Sequence, residues 1–323
     1  MKAVQYSSHG HPPDVADIVD IDIGSPAENE VLIDVEATPI RFADLYLLRG
    51  DKAFRSLPGS LGGIGVGRIA LVGSKVTNLS AGDRVYLPRV ATWQEQIRVP
   101  AAGLEVAPND GDPIQLSLVN SNLVTCHDLL KDVFDLEPGE WVLQDAANSS
   151  CGHYIIKLAK MWGLKTVNVV RRASLIEELK ALGADAVVVD GPNLAADVTA
   201  ATGNAKIRLA TDMVAGEISG RLAECLGEGG IVAVYGQVSG EPCQIAAPVM
   251  WFQRVRLIGF LGGRPRTPVE RSAVYAELSR LVTEGKVSAE IAGVYPFDRV
   301  GEALAHAAKT GEDRRGKVVL VPR

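Results

Sequence analysis

Cysteine, histidine and methionine are scarce in this 323-residue chain, at four, five and four residues. The four cysteines, Cys126, Cys151, Cys225 and Cys243, stand far apart, with no CxxC and no short Cys/His cluster. That spacing argues against a zinc lobe and against a disulfide scaffold, so reduced thiols are expected. No apolar run reaches the roughly 18 residues that a membrane helix needs, because charges and glycines interrupt every hydrophobic stretch. The opening MKAVQYSSHGHPPD has no apolar signal core. A soluble protein without a membrane partner is expected, in the cytoplasm or an organelle matrix, with the cytoplasm as the default. An excess of basic charge is missing too. The 33 Lys and Arg stand against 39 Asp and Glu, for a formal charge of −6, which gives nucleic acid no electrostatic footprint.

What the chain does have is apolar material, 47% against 22% charged, enough for a full-sized core and two domains. The first hundred residues read as short strands, Val15 to Ile23, Val31 to Val35, Val66 to Val72, Val85 to Leu87 and Trp93 to Val99. Pro12-Pro13, Gly24-Ser25-Pro26 and Ala81-Gly82-Asp83 punctuate them. This spacing predicts a β-rich, barrel-like domain. A helical pattern begins near Pro113 and is expected to run until just before Glu137-Pro138-Gly139-Glu140.

Beyond that turn, apolar strands alternate with amphipathic helices. Strands are expected at Trp141 to Leu143, Thr166 to Val170, Ala186 to Val189, Leu209 to Thr211 and Ile231 to Tyr235. The helices lie around Ile155 to Met161, Leu175 to Leu182, Ala195 to Ala201 and Ile218 to Leu226. Continuous Val/Ile strands separated by helices predict a parallel sheet covered on both faces, a doubly wound α/β architecture. The tail adds a strand at Leu257 to Phe260, a helix near Val269 to Thr283, a helix near Val300 to Ala308 with Asp298 at its start, and a strand at Lys317 to Val321.

The first strand of the βα series leads into Asp145-Ala146-Ala147-Asn148-Ser149-Ser150-Cys151-Gly152 and a helix expected to start near His153. Small residues at a strand-to-helix turn let backbone N–H groups and the positive helix end approach a pyrophosphate. Ala146, Ser149 and Gly152 take the spaced positions of a GxGxxG fingerprint, so the motif is only partly met. Asn148, Ser149, Ser150, Cys151 and Gly152 are the expected phosphate-side residues.

About 20 residues after such a turn, a protein that uses NAD offers an Asp or Glu to the ribose hydroxyls. Here that place holds Arg171-Arg172. A guanidinium grips a 2′-phosphate that a carboxylate would repel, so NADPH is the expected cofactor. A solvated helix start is the other account of these arginines.

These residues, with AGDRVYLP, GGIVAVYGQ and VRLIGF in the same order, resemble the medium-chain dehydrogenase/reductase superfamily in its zinc-free quinone oxidoreductase and trans-2-enoyl thioester reductase branch. The segments QDAANSSCG and TVNVVRR carry the strongest likeness. The resemblance implies a GroES-like β-barrel catalytic domain of residues 1–117 and 264–323 and a Rossmann NADPH-binding domain of residues 118–263. It also implies an active site in the cleft between them, and a homodimer whose nucleotide-domain sheets join near Ala246 to Phe260. Zinc-dependent relatives have Gly-His-Glu where this chain reads Gly62-Gly63-Ile64, and a cysteine where it reads Arg41. Neither replacement is a normal zinc ligand.

Hydride addition to an activated alkene or a quinone needs oxyanion stabilisation and a proton but no metal. These are the implied small-molecule partners. Tyr46 occupies the tyrosine position of the quinone oxidoreductases, as a proton donor or an aromatic wall. Arg41 departs from their asparagine, either to bind a substrate carboxylate or to pair with Asp44. The stretch Asp51-Lys52-Ala53-Phe54 lacks the tyrosine of enoyl thioester reductases, and Lys52 stands there as a substitute donor or a surface charge. Likeness to relatives places Asn122 and Thr125 beside the nicotinamide and substrate, with Trp93 on the substrate side. It places Tyr235, Gly236, Phe260 and Leu261 at the nicotinamide, mainly through backbone groups. The missing tyrosine also leaves a rival reading, an NADPH-binding redox sensor or structural dimer with little catalysis.

Overall fold

A computed structural model describes residues 1–50 and 57–322 of the chain. It divides into two compact units, residues 1–121 with 266–323 and residues 122–265. The division lies a few residues C-terminal of the boundaries expected from sequence.

In the first unit, strand Glu30–Pro39 is the organiser. It pairs antiparallel with Val66–Val72, with Gln96–Pro100 and with the C-terminal strand Lys317–Val321. Its alternation puts Val31, Ile33 and Val35 on one face, where they pack with Ile69, Val85, Leu87, Ile97 and Val99. The closing segment of the chain thus completes the first unit. Strand Lys2–Tyr6 lies between Ala16–Asp20 and Gly59–Ser60 in a smaller sheet.

The strand expected at Val15 to Ile23 is shorter. Pro12–Val15 forms a helical turn, led by Pro12 and Pro13 with their fixed φ, and only Ala16–Asp20 is extended. Strands Lys2–Tyr6 and Ile291–Pro296 were not expected. The second of these carries Gly293 and Pro296, which mask its pattern. Asp298 is not a helix cap. It sits in a 3-10 turn, Phe297–Arg299, and helix Val300–Ala308 starts without a side-chain cap.

The second unit is built on a parallel sheet whose strands, numbered along the chain, lie in the order 3-2-1-4-5-6. They are Trp141–Gln144, Lys165–Val170, Ala186–Val189, Ile207–Asp212, Ile231–Val234 and Arg256–Gly259. This is the doubly wound dinucleotide-binding order, and it reverses between the first and fourth strands. Leu143, Val167, Val169, Ala210 and Val232 are buried within the core of this unit. Each large apolar side chain so covered contributes about 1.5–3 kcal/mol, so packing on the sheet rather than helix propensity holds the helices in place.

The helical pattern from Pro113 is broken into a turn at Pro113–Leu116, a π-helical turn at Val119–Leu123 and a helix at Val124–Lys131. It stops before the expected end, where the Asp128 and Asp132 carboxylates accept hydrogen bonds from the Gly263 and Arg264 N–H groups. Helix Ala247–Phe252 was also unexpected, being one short turn and a half behind a proline. Among the described residues no helix is long and apolar enough to cross a membrane.

Candidate functional site

The turn after the first strand of the second unit is shaped by its own side chains. The helix begins at Ser150 rather than near His153, because Ser149 caps it: its Oγ accepts from the Gly152 N–H at 3.1 Å. Gly152 is required there, since a Cβ would stand 2.3 Å from the Ala147 carbonyl oxygen. Ala146 adopts a left-handed φ of 44°, an unfavourable conformation for a residue with a Cβ. Small residues are therefore a geometric need of this turn.

Above it lies a cavity of about 590 Å³ contained within the second unit. Ala146 and Asn148 line it from the first strand's turn, Val170 and Arg171 from the second strand, and Asp190 from the third. Residues 214–218 and Arg221 close it from the fourth. The cavity thus sits outside the carboxyl ends of the strands, where a doubly wound sheet takes its ligand.

The charges around the cavity are unequal in their commitments. Asp190 receives Nε and Nη2 of Arg221, both at 2.8 Å, and Glu217 lies 3.5 Å from the same guanidinium. Arg171 is exposed and forms no ion pair or side-chain hydrogen bond among the described residues. It is the cation available to an incoming anion. Arg172 follows it with the opposite facing of an extended chain and does not line the cavity.

Ser150, Cys151, Tyr235, Gly236, Phe260 and Leu261 do not line this cavity either. Cys151 is buried and accepts a hydrogen bond from Asn122 Nδ2 at 3.1 Å, while Cys126 donates to the Cys151 carbonyl at 3.4 Å. Asn122 stands on the π-helical turn, a form that recurs at functional sites. Thr125 is half-buried one helical turn on. His127 Nδ1 and the Asp128 carboxylate are hydrogen-bonded at 2.8 Å. None of the four cysteines is in a disulfide. The Tyr235 hydroxyl is buried without a partner among the described residues, and burial raises its pKa well above the usual phenol value. Phe260 continues the sixth strand through its N–H to Val234, and Leu261 is 89% exposed.

In the first unit, Arg41 precedes helix Phe42–Arg49 and is tied down. Its Nε and Nη2 meet the fully buried Asp44 at 3.1 and 2.8 Å, and Nη2 also donates to the Gly62 carbonyl at 2.8 Å. The guanidinium packs on Gly63, where a Cβ would come within 3.0 Å of it. The pairing with Asp44 is therefore the arrangement adopted. Tyr46, half-buried on the same helix, packs edge-on to Phe42 with centroids 4.5 Å apart. Trp93 is only 1% exposed and belongs to the core with Val4, Leu48 and Phe297. Its ring is covered by protein, which corrects the expectation that it lines a substrate surface. Lys52 lies outside the described residues.

A sheet of this order with a cavity at this place defines a dinucleotide-binding fold. The family model for an alcohol dehydrogenase GroES-like domain matches residues 27–105, and that for a zinc-binding dehydrogenase matches residues 151–284. The mitochondrial enoyl-[acyl-carrier-protein] reductase of Caenorhabditis elegans is 32% identical over 301 residues, covering 87% of this chain and 84% of that protein. A mycobacterial quinone oxidoreductase superposes with a TM-score of 0.83 at 26% identity over 100% of both chains. A mycobacterial structure in complex with NADPH gives 0.84 at 26% identity, again over 100% of both. The chain belongs to the medium-chain dehydrogenase/reductase superfamily, in the zinc-free branch of the quinone oxidoreductases and enoyl thioester reductases. It is an oxidoreductase of that superfamily.

Zinc, named in one of the matching families, does not fit these residues. Arg41 and Gly62-Gly63-Ile64 offer no ligand side chain. Among the described residues no group of three His, Cys, Asp or Glu could hold a metal. A nicotinamide dinucleotide does fit, given a turn that only small residues can make and an uncommitted arginine at the cavity wall.

Proposed function

We propose that the protein is an NADPH-dependent, zinc-independent reductase of activated C=C bonds, with 2-enoyl thioesters ahead of quinones. One observation carries the cofactor choice: Arg171, without an ion pair among the described residues, lines the cavity at the end of the second strand, while two of the three acids lining it, Asp190 and Glu217, are engaged by Arg221. The NADPH complex of a mycobacterial relative supports the same choice. The name of the Caenorhabditis elegans relative supports the thioester class, and that of the mycobacterial oxidoreductase supports quinones.

When bound, the reduced nicotinamide supplies a hydride to the electron-poor carbon of an alkene conjugated to a carbonyl. The residues of this chain have the remaining tasks. Asn148 and the capped turn before helix Ser150–Met161 hold the pyrophosphate through backbone N–H groups. Arg171 binds the 2′-phosphate. The Tyr46 phenol returns a proton to the enolate, a task for which a donor within hydrogen-bond reach gives about 10²–10⁴-fold. Arg41, paired with Asp44 and bonded to the Gly62 carbonyl, fixes the start of the helix that carries Tyr46.

The exposed edge of the second unit supports a homodimer. Among the described residues the sixth strand pairs only with the fifth, and Trp251, Phe252 and Leu261 are 71%, 81% and 89% exposed beside it. An open edge with large apolar residues is a template for a second copy.

The testing experiment is NADPH oxidation with a 2-enoyl thioester, a quinone, an alkenal and an unsaturated acid. Turnover with the thioester above the other three is expected. Tight NADPH binding without turnover of any of them would instead make the protein a nucleotide-binding sensor.

A further inference from the structure

The three acids that line the nucleotide cavity are not treated alike. Asp190 and Glu217 are both engaged by Arg221. Glu241 is exposed, and its carboxylate has no ion pair or hydrogen bond among the described residues. A free carboxylate in the wall of a phosphate site repels the ligand unless some other part of that ligand donates a hydrogen bond to it. The ligand is the remaining source of such a donor.

Glu241 is held in place through its backbone. Residues 238–244 run along the loop after the fourth strand, where the Val238, Ser239 and Gln244 N–H groups donate to the Met213, Val214 and Gly216 carbonyls at 3.2, 2.9 and 3.1 Å. The Glu241 N–H donates to Ser239 Oγ at 3.1 Å, and Gln237 Nε2 donates to the Glu241 carbonyl at 3.1 Å. Gly216 has a φ of 79°, and a Cβ there would stand 3.3 Å from Ser239 Oγ, so the two segments meet at a residue without a side chain. Bonds on both sides thus fix the point from which this carboxylate reaches the cavity.

The acid and Arg171 belong to different walls. Arg171 follows the second strand, Glu241 rests on the loop after the fourth, and the first strand lies between these two. That order puts about two strand spacings, roughly 10 Å, between the supporting elements, and no ion pair joins the two side chains among the described residues. Val170, Val214, Ala215, Ile218 and Val238 add an apolar lining. Such a cavity suits a flat ring that carries an anion at one end and an N–H donor at the other. The adenosine 2′-phosphate end of NADPH has both, in its ribose phosphate and the amino group of its base.

We propose that Glu241 accepts a hydrogen bond from the 6-amino group of adenine, so that this wall reads the base while Arg171 reads the 2′-phosphate. The assignment rests on the NADPH reading above, which leaves the base without a side-chain partner.

Calorimetric titration of the full chain with two probes tests it. The probes are adenosine 2′,5′-bisphosphate and its purine riboside analogue, which lacks only the 6-amino group. The ratio of their affinities cancels any general effect of charge on phosphate binding. The unaltered protein is expected to prefer the adenine probe by about three- to tenfold, the worth of one hydrogen bond to a solvated carboxylate, and Glu241→Ala is expected to bring the ratio close to one. A ratio near one in the unaltered protein, or an undiminished ratio in Glu241→Ala, overturns the assignment. Arg171→Ala tests the reading beneath it, and is expected to weaken both probes alike with the ratio unchanged. If Arg171→Ala weakens neither probe while the ratio still depends on Glu241, the 2′-phosphate reading fails and the base contact stands. Binding of neither probe by the unaltered protein overturns both.

Discussion

Arg221 closes on Asp190 through two hydrogen bonds of 2.8 Å, and in doing so neutralises the one acid at the end of the third strand of the nucleotide sheet. That pairing sets the charge that a cofactor meets. With Asp190 occupied, Arg171 is the cavity-lining arginine left without an ion pair among the described residues, and the proposal places the 2′-phosphate there.

Arg171→Ala is expected to weaken NADPH by about tenfold or more, the worth of a charge-assisted hydrogen bond, and NADH by much less. Arg172→Ala, off the cavity wall, is expected to cost less than Arg171→Ala. Fluorescence titration of both nucleotides checks the pair of variants, and equal losses of NADPH and NADH would remove the phosphate role.

Arg221→Met leaves Asp190 and Glu217 uncompensated beside the cavity. NADPH affinity is expected to drop severalfold while NADH holds nearer its starting value, because like charge acts most on the extra phosphate. Both members of the ion pair are partly exposed, so solvent screening keeps the effect modest. Calorimetric titration at two salt concentrations reads it directly, with the smaller difference at high salt.

The doubly wound sheet was legible because its strands are uninterrupted apolar runs such as Val187-Val188-Val189, and the helices between them carry a clear period. The position of Arg171 at the cavity wall was legible for the same reason: it follows from strand end and spacing. Arg221 and Asp190 were not, since 31 positions separate them and only the fold joins them. Trp93 misled because an aromatic at the head of an expected strand reads equally as a wall of a site or as a core ring. The break of the helical pattern at 119–123 has no signal in periodicity alone, and the side-chain bonds from Asp128 and Asp132 to residues 263–264 are tertiary.

Tyr46→Phe is expected to lower kcat by about 10²-fold if the phenol is the proton donor, with a much smaller change in NADPH affinity. A solvent isotope effect present in the unaltered enzyme and altered in the variant would accompany it. Undiminished turnover would leave Tyr46 as the aromatic neighbour of Phe42 and no more.

Replacing Trp251 and Phe252 together by glutamate is expected to convert a dimer to a monomer in sedimentation analysis, since both side chains are exposed in the isolated chain and charge on an apolar face opposes association. An unaltered sedimentation coefficient for the double variant would place the contact elsewhere.

Glu140 lies below its usual carboxyl value, chiefly through hydrogen bonds from Arg208, which ties the start of the first strand to the fourth. A depressed folded pKa adds stability that is complete above the unfolded value and is lost as pH falls through the folded one. Glu140→Gln is expected to lower stability at neutral pH by about 0.5–1 kcal/mol, with the difference vanishing in acid. Thermal melts from neutral to acid pH check this, and a difference that persists in acid would assign the loss to packing.

The most direct measurement is a crystal structure of the protein with NADPH. The adenosine 2′-phosphate is expected on the Arg171 guanidinium, with the pyrophosphate over Asn148 and the Ser149-capped helix start. Nucleotide bound elsewhere, or seated in the cavity with Arg171 pointing away from the 2′-phosphate, would contradict the account.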